Sequence, residues 1–132
     1  MSRQVYLDYA ATSFTSPEVV SAMMPYFTRH FGNPSSVHCF GQQAEAALEA
    51  SREKVASHFG AHPDEILFTS GGTESDNLAI RGAAFARRQK YGCNRILTTP
   101  VEHHAVTHTV EQLARLYGFS VDTLPVDASG LG

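Results

Sequence analysis

The sequence of 132 residues predicts an α/β fold with a βαβαβ core preceded by two helices. After residue 60, short apolar segments alternate with longer segments whose apolar residues recur every three or four positions. Strands separated by helices of this length favour a parallel sheet with right-handed crossovers. The first helix of this core has a face of small residues that would let it lie close to the sheet: Ala79, Gly82, Ala83 and Ala86.

Two helices are predicted before the core. Ser16 and Pro17 are typical of a helix start, because serine caps free N–H groups and proline fits the first turn. Pro25 should kink this helix, since it removes a backbone donor. The second helix should end at Gly60, because glycine suits a C-cap. The predicted apolar faces comprise Val20, Met23, Met24, Phe27 and Phe31 in the first helix, and Ala44, Ala47, Leu48, Val55 and Phe59 in the second.

The core elements follow in the order strand, helix, strand, helix, strand. They are predicted at residues 66–69, 73–90, 95–99, 104–117 and 119–124. Open α/β sheets bind ligands beyond the carboxyl ends of their strands. The loops at residues 70–72 and 100–103 should therefore lie on one rim and form the candidate site.

Composition excludes several classes of function. A net charge of −3 without a run of like charges gives no basic surface for nucleic acid. No apolar stretch is long enough for a membrane span or a signal peptide, and Cys39 and Cys93 form no CxxC pair. We therefore expect a cytoplasmic protein in a reducing compartment. The charged fraction of 17% is low, which indicates that part of the surface is covered.

The first loop continues into SGGTESDN, residues 70–77. Glycines between a strand and a helix start expose backbone N–H groups that can bind a phosphate, and Thr73 adds a hydroxyl. Alternatively, Thr73 and Asp76 form a capping box and the glycines only make the turn. The residue pattern supports both interpretations equally, and Glu74 and Asp76 would repel an anion.

The second loop contains three histidines within the segment TTPVEHHAVTH. His104 and His108 are four residues apart, but Ala105 stands where a zinc-protease helix needs glutamate, so a metal site is disfavoured. His103 is either a cap or a surface residue, or it stacks on a flat ligand whose phosphate lies at Thr73. A planar phosphorylated ligand beside a histidine indicates pyridoxal phosphate, which requires a lysine. Lys54 and Lys90 both lie away from the rim.

Four segments, in order, resemble the opening third of the pyridoxal-phosphate-dependent cysteine desulfurases, within the class V aminotransferase group. They are YLDYAATS at Tyr6–Ser13, FGNPSSVH with FG two residues later at Phe31–Gly41, ILFTSGGTESDNLAI at Ile66–Ile80 and VEHHAV at Val101–Val106. The resemblance covers essentially the whole chain. Another class V enzyme, an aminotransferase or a selenocysteine lyase, is the first alternative, and a truncated non-catalytic binding protein is the second.

The resemblance implies an incomplete large domain of the pyridoxal-phosphate transferase type. Residues 1–15 would begin the small domain and run toward the active site, and residues 16–132 would be the N-terminal part of the large domain. Gly72 and Thr73 would bind the phosphate of pyridoxal 5'-phosphate, and His103 would stack on its ring and act catalytically by shuttling protons. The loop at residues 32–36 would lie near a dimer interface and the substrate entrance.

The whole enzyme would convert L-cysteine to L-alanine, and its sulfur, carried as a persulfide, would go to an acceptor protein or to iron–sulfur clusters. In the family, the lysine that bonds to the cofactor, the aspartate at its ring nitrogen, the arginine for the substrate carboxylate and the persulfide cysteine all lie in later parts of the chain. Cys39 is not at the persulfide position. The sequence ends at residues 126–132 inside an apparent turn, so we expect a fragment that is inactive alone.

Overall fold

The computed structural model describes residues 3–130, so the predicted segments 1–15 and 126–132 each extend two residues outside the described range. The chain forms two compact units that divide between Leu67 and Phe68. The first unit contains helices α1 (Pro17–Thr28) and α2 (Cys39–Phe59) and a 3-10 turn (Pro63–Glu65). The second unit contains α3 (Gly72–Tyr91), β1 (Arg95–Thr98), α4 (His104–Tyr117) and β2 (Ser120–Thr123).

Local capping explains where the helices of the first unit begin and end. The Ser16 side chain accepts a hydrogen bond from the Val19 N–H at 3.4 Å, which confirms the predicted start of α1. The helix ends at Thr28, so the prediction that Phe31 continues its apolar face is wrong. The N–H groups of the two residues after Thr28 both bond to the Pro25 carbonyl, which closes the helix there. Gly60 ends α2 in the left-handed conformation, at φ 63°, as predicted.

Two glycines allow the loop before α2 to pack against its first turn. A Cβ at Gly32 would lie 2.1 Å from the Phe40 carbonyl oxygen, and one at Gly41 would lie 2.1 Å from that of Ser36. Real Cβ atoms do not approach backbone atoms so closely. At positions 32 and 41, glycine is therefore required because a side chain would overlap a carbonyl group, and not because of the backbone angles.

The second unit is built on a parallel pair of strands. β1 and β2 are in register from Arg95 opposite Ser120 to Thr98 opposite Thr123. α4 connects them and buries one face, which includes Leu113 with no exposed surface. The buried apolar side chains of this unit are Ala105, Val110, Leu113 and Phe119. The predicted β-α-β connection through α4 is thus confirmed.

The predicted strand at residues 66–69 is not formed. Ile66 has extended angles, φ −100° and ψ 124°, but the described sheet contains only β1 and β2. The Ile66 carbonyl accepts a hydrogen bond from the Arg52 guanidinium, so a side chain occupies an acceptor that a neighbouring strand would use. The observed core is therefore α3-β1-α4-β2, and the predicted βαβαβ order is wrong at its first strand.

Candidate functional site

Thr73 and His103 line the same concavity in the second unit. Its volume is about 1000 Å³, and its walls come from α3, from His103 and from α4 as far as Arg115. Gly72 immediately precedes Thr73 and is the first residue of α3. The structure therefore brings together the three residues that the sequence analysis selected. Other side chains along this concavity include Asn77, Arg81, His104 and His108.

The N-terminus of α3 presents free backbone donors beside Thr73. The first intrahelical bond runs from the Ser75 N–H to the Gly71 carbonyl at 3.1 Å, so the N–H groups of Gly72, Thr73 and Glu74 have no acceptor within the helix. Gly71 is the N-cap and has no side chain to bond to them. A Cβ at Gly71 or Gly72 would meet no atom within 4 Å, so this terminus is open to a ligand.

The alternative capping box of Thr73 and Asp76 is not formed. Thr73 is the second residue of α3 and not its cap, so its hydroxyl lies too far along the helix for that role. Of the described residues, those that line the concavity include neither Glu74 nor Asp76. Neither carboxylate is therefore part of the wall of the concavity.

Ser70 holds the Glu74 carboxylate outside the concavity. The carboxylate accepts hydrogen bonds from the Ser70 hydroxyl at 2.6 Å and from the Ser70 N–H at 2.7 Å. These bonds favour the charged form, so they lower the pKa of Glu74, the hydroxyl contributing more than the N–H. Glu74 thus stays ionised and tied to the loop before α3.

His103 is the N-cap of α4. Its Nδ1 accepts a hydrogen bond from the Ala105 N–H at 3.1 Å. Because Nδ1 is an acceptor, the proton of the neutral ring is on Nε2. His103 therefore carries an N–H donor at Nε2, lines the concavity, and is oriented by the bond from Ala105.

The other histidines of the concavity, His104 and His108, lie on one face of α4. His104 and His108 stack with ring centroids 5.5 Å apart, which is the (i, i+4) arrangement expected on one face of a helix. Among residues 3–130, no group of three or more histidine, cysteine, aspartate or glutamate side chains could hold a metal ion. In the same range, no helix is long and apolar enough to cross a membrane.

Neither Lys54 nor Lys90 lines this concavity. Lys90 is in the last turn of α3, and at about 1.5 Å of rise per residue it is about 26 Å along the helix from Thr73. Lys54 belongs to the first unit. Neither is among the described residues that line the concavity.

Sequence analysis missed a polar link between the two helices of the site. Thr109 in α4 is only 2% exposed, and its hydroxyl lies 2.7 Å from the amide oxygen of Asn77 in α3. A threonine next to the predicted apolar position Val110 was the available signal, because a hydroxyl on a buried helix face needs a partner. Asn77 was within the quoted SGGTESDN segment but had no assigned role.

Comparison with known proteins identifies the family. Residues 5–132 match the family described as Aminotransferase class-V. Proteins named cysteine desulfurase IscS from Clostridium botulinum (strain Hall) and Dictyoglomus turgidum are 48% and 52% identical over 130 residues. Each alignment covers 98% of this chain and 32% of the relative.

A solved structure supports the same assignment. SspA in complex with cysteine matches with a TM-score of 0.82 and 39% sequence identity, over 94% of this chain and 35% of that one. This match confirms the predicted α/β fold class as a part of a class V enzyme fold. The chain, which spans about a third of the length of the relatives that it matches, belongs to the class V aminotransferase family.

Proposed function

We propose that the protein carrying this chain is a pyridoxal-phosphate-dependent cysteine desulfurase, and that this chain binds the cofactor phosphate and ring. The observation that carries the proposal is the shared concavity of Thr73 and His103. It occurs in a chain about half identical to proteins named cysteine desulfurase. The reaction would convert L-cysteine to L-alanine and leave the sulfur as an enzyme persulfide.

The residues on this concavity fit pyridoxal phosphate. The ligand has a phosphate, which matches the free N–H groups of Gly72 and Thr73 and the Thr73 hydroxyl. It also has a flat ring, which matches the exposed face of His103. Arg81 and Arg115 supply positive charge along the same concavity, where Glu111 is the carboxylate among the described lining residues. This donor set suits a dianionic phosphate ester.

Each residue would have a distinct task. When bound, pyridoxal phosphate supplies the electron sink for bond cleavage at Cα of an amino acid. Gly72 and Thr73 hold the phosphate and so fix the position of the ring. His103 covers one ring face and can hold or release a proton at Nε2, because Nδ1 is engaged by Ala105.

The sulfur step would use a thiol from another part of the protein. That thiol loses its proton and attacks the sulfur of L-cysteine; the C–S bond breaks, its electron pair stays with Cβ, and Cβ takes up one proton, giving L-alanine and a persulfide. Cys39 lies in the first unit at the start of α2, and we assign it no part in this step.

The remaining predictions complete the proposal. Residues 1–15 would begin the small domain and residues 16–132 would belong to the large domain. The protein would act as a homodimer in the cytoplasm, with an acceptor protein taking the sulfur for iron–sulfur cluster assembly. Exposed apolar side chains support the need for further protein contacts, for example Val37 at 92% and Phe31 at 68% exposure.

Complementation tests this function. The 132-residue chain is co-expressed with the remaining two thirds of the Dictyoglomus turgidum relative; we call the product the complemented protein. We expect bound pyridoxal phosphate, and equal amounts of alanine and reducible sulfur from L-cysteine. The 132-residue chain alone should give neither product.

Other products would support the alternatives. Formation of a 2-oxo acid without sulfur release would indicate an aminotransferase, and alanine from selenocysteine but not from cysteine would indicate a selenocysteine lyase. A complemented protein that binds no pyridoxal phosphate would favour a non-catalytic binding protein and would contradict the proposal.

A further inference from the structure

Asn77 and Thr109 form a hydrogen-bonded link between α3 and α4. The Thr109 hydroxyl lies 2.7 Å from the amide oxygen Oδ1 of Asn77. The amide nitrogen Nδ2 of Asn77 donates to the Thr73 carbonyl at 2.9 Å. The link therefore joins a buried residue of α4 to the first turn of α3, where Thr73 lies.

The surrounding donors fix the direction of each hydrogen bond. Asn77 must turn Nδ2 toward the Thr73 carbonyl. In the opposite orientation Oδ1 of Asn77 would face the carbonyl oxygen, and two acceptors cannot form a hydrogen bond. Arg81 supports this orientation, since its Nε and Nη2 atoms both lie 3.4 Å from Oδ1 of Asn77. Oδ1 is then an acceptor only, so the Thr109 hydroxyl donates to it.

The same hydroxyl also reaches the first turn of α4. It lies 2.7 Å from the Ala105 carbonyl, so its proton is shared between two acceptors. The Ala105 N–H is the group that bonds to Nδ1 of His103. One buried hydroxyl thus connects the turn that carries Thr73 with the turn that His103 caps.

We propose that Asn77 and Thr109 are positioning residues that set the separation of Thr73 and His103 for a phosphorylated ring ligand. This inference rests on the proposed function. A ligand that is held at two points binds more tightly when the distance between those points is fixed before binding, because no further ordering is then needed for the second contact. Thr109 lies in the wall of the concavity but is only 2% exposed, so we assign its effect to the positions of Thr73 and His103.

Matched variants separate the hydroxyl from the shape of the side chain. Thr109→Val keeps the shape and removes the hydroxyl, whereas Thr109→Ser keeps the hydroxyl. In the complemented protein, Thr109→Val should weaken pyridoxal phosphate binding about tenfold, and Thr109→Ser should bind nearly as the wild type does. Asn77→Leu should give a similar loss, and the double variant should lose little more, because both changes break one link.

Inorganic phosphate distinguishes positioning from general damage. Inorganic phosphate would contact only the start of α3 at Thr73. Its affinity, measured by competition with pyridoxal phosphate, should therefore be the same in wild type and Thr109→Val. An equal loss of affinity for both ligands would overturn the proposal, because it would indicate a disrupted helix start. Wild-type affinity for pyridoxal phosphate in Thr109→Val would also overturn it.

A second readout uses the 132-residue chain without cofactor. Nitrogen-15 NMR of His103 should show Nδ1 as the acceptor in wild type and Thr109→Ser, and a mixture of tautomers in Thr109→Val. This measurement tests the link even if the wild-type complemented protein binds no pyridoxal phosphate, an outcome that would contradict only the proposed function. Unchanged His103 signals in Thr109→Val and Asn77→Leu would overturn the proposal.

Discussion

At the residue scale, Thr73 and His103 place different chemical groups on one concavity. Thr73 provides a hydroxyl and a backbone N–H at the start of α3, which suit an anion. His103 provides a ring whose neutral tautomer, with the proton on Nε2, is set by the bond from Ala105. The two residues should therefore contribute separately to cofactor binding, one through the phosphate and the other through the ring.

Substitution of either residue should weaken the cofactor complex. In the complemented protein, Thr73→Val and His103→Ala should each raise the dissociation constant of pyridoxal phosphate about tenfold, the effect of losing one good contact. Thr107→Val is the matched control, because this hydroxyl is in α4 but not on the concavity. Fluorescence titration measures the constants; wild-type values in both site variants would remove Thr73 and His103 from the site.

Gly41 provides a test of the packing between the loop and α2. A helical glycine replaced by alanine ordinarily gains up to about 1 kcal/mol. Here the new Cβ would overlap the Ser36 carbonyl, so Gly41→Ala should instead lower the free energy of unfolding by about 2 kcal/mol. Gly82→Ala is the control and should stabilise this chain, because a Cβ there meets open space. Urea unfolding that shows Gly41→Ala to be as stable as Gly82→Ala would contradict the packing.

Sequence reasoning selected candidate residues that have local signals. Thr73 and His103 stand at element starts, and such positions can be read from neighbouring residues. Asn77 and Thr109 were missed because their partnership spans 32 positions and depends on how α3 packs against α4. The need for Gly41 was also hidden, since it arises from a loop that folds back on the helix.

At the element scale, the start of α3 is stabilised by the loop before it. The ionised Glu74 side chain is hydrogen-bonded by Ser70, and a carboxylate is also favoured near a helix N-terminus. Folding lowers the pKa of Glu74. The ionised Glu74 side chain therefore stabilises the fold fully at a pH above its pKa in the unfolded chain, about 4.3. This stabilisation is lost as the pH falls through the lower pKa that Glu74 has in the folded chain.

Removal of the Ser70 hydroxyl should raise the pKa of Glu74 toward its ordinary value. Ser70→Ala deletes the larger of the two hydrogen-bond contributions and leaves the backbone bond. Carbon-13 NMR of the Glu74 carboxyl measures the titration. Ser75→Ala is the control, since that hydroxyl bonds to Thr69 and Gly71 and not to Glu74. An unchanged Glu74 titration in Ser70→Ala would refute the assigned cause.

The helices of the second unit were predicted more accurately than the strand expected before them. α4 was predicted at its observed bounds, and α3 within one residue at each end, because caps and apolar periodicity are properties of the local sequence. Residues 66–69 were predicted as a strand from their apolar character. A strand, however, requires hydrogen bonds from a neighbouring strand, and local sequence does not reveal that neighbour.

At the scale of the whole molecule, much apolar surface is exposed. Leu7 is 86% exposed and Phe59 is 78% exposed, and the described core of five apolar residues is small. This agrees with the low charged fraction, which indicated that other protein surfaces cover part of the chain. The matched relatives are about three times as long, so they contain the additional chain that such coverage needs.

The 132-residue chain alone should not bond covalently to the cofactor at a specific lysine. Lys90 is about 26 Å along α3 from Thr73, and Lys54 is an exposed residue of α2. Borohydride reduction with pyridoxal phosphate, followed by peptide mapping, should give only low, unspecific labelling. The complemented protein serves as the positive control and should be labelled at one lysine outside this chain. Stoichiometric label on Lys54 or Lys90 would refute this prediction.

A crystal structure of the complemented protein with pyridoxal phosphate tests the central claim most directly. We expect phosphate oxygens within hydrogen-bonding distance of the Gly72 N–H and the Thr73 hydroxyl, with the His103 ring stacked on the pyridine ring. A phosphate bound elsewhere, or a His103 ring turned away from the pyridine, would contradict it.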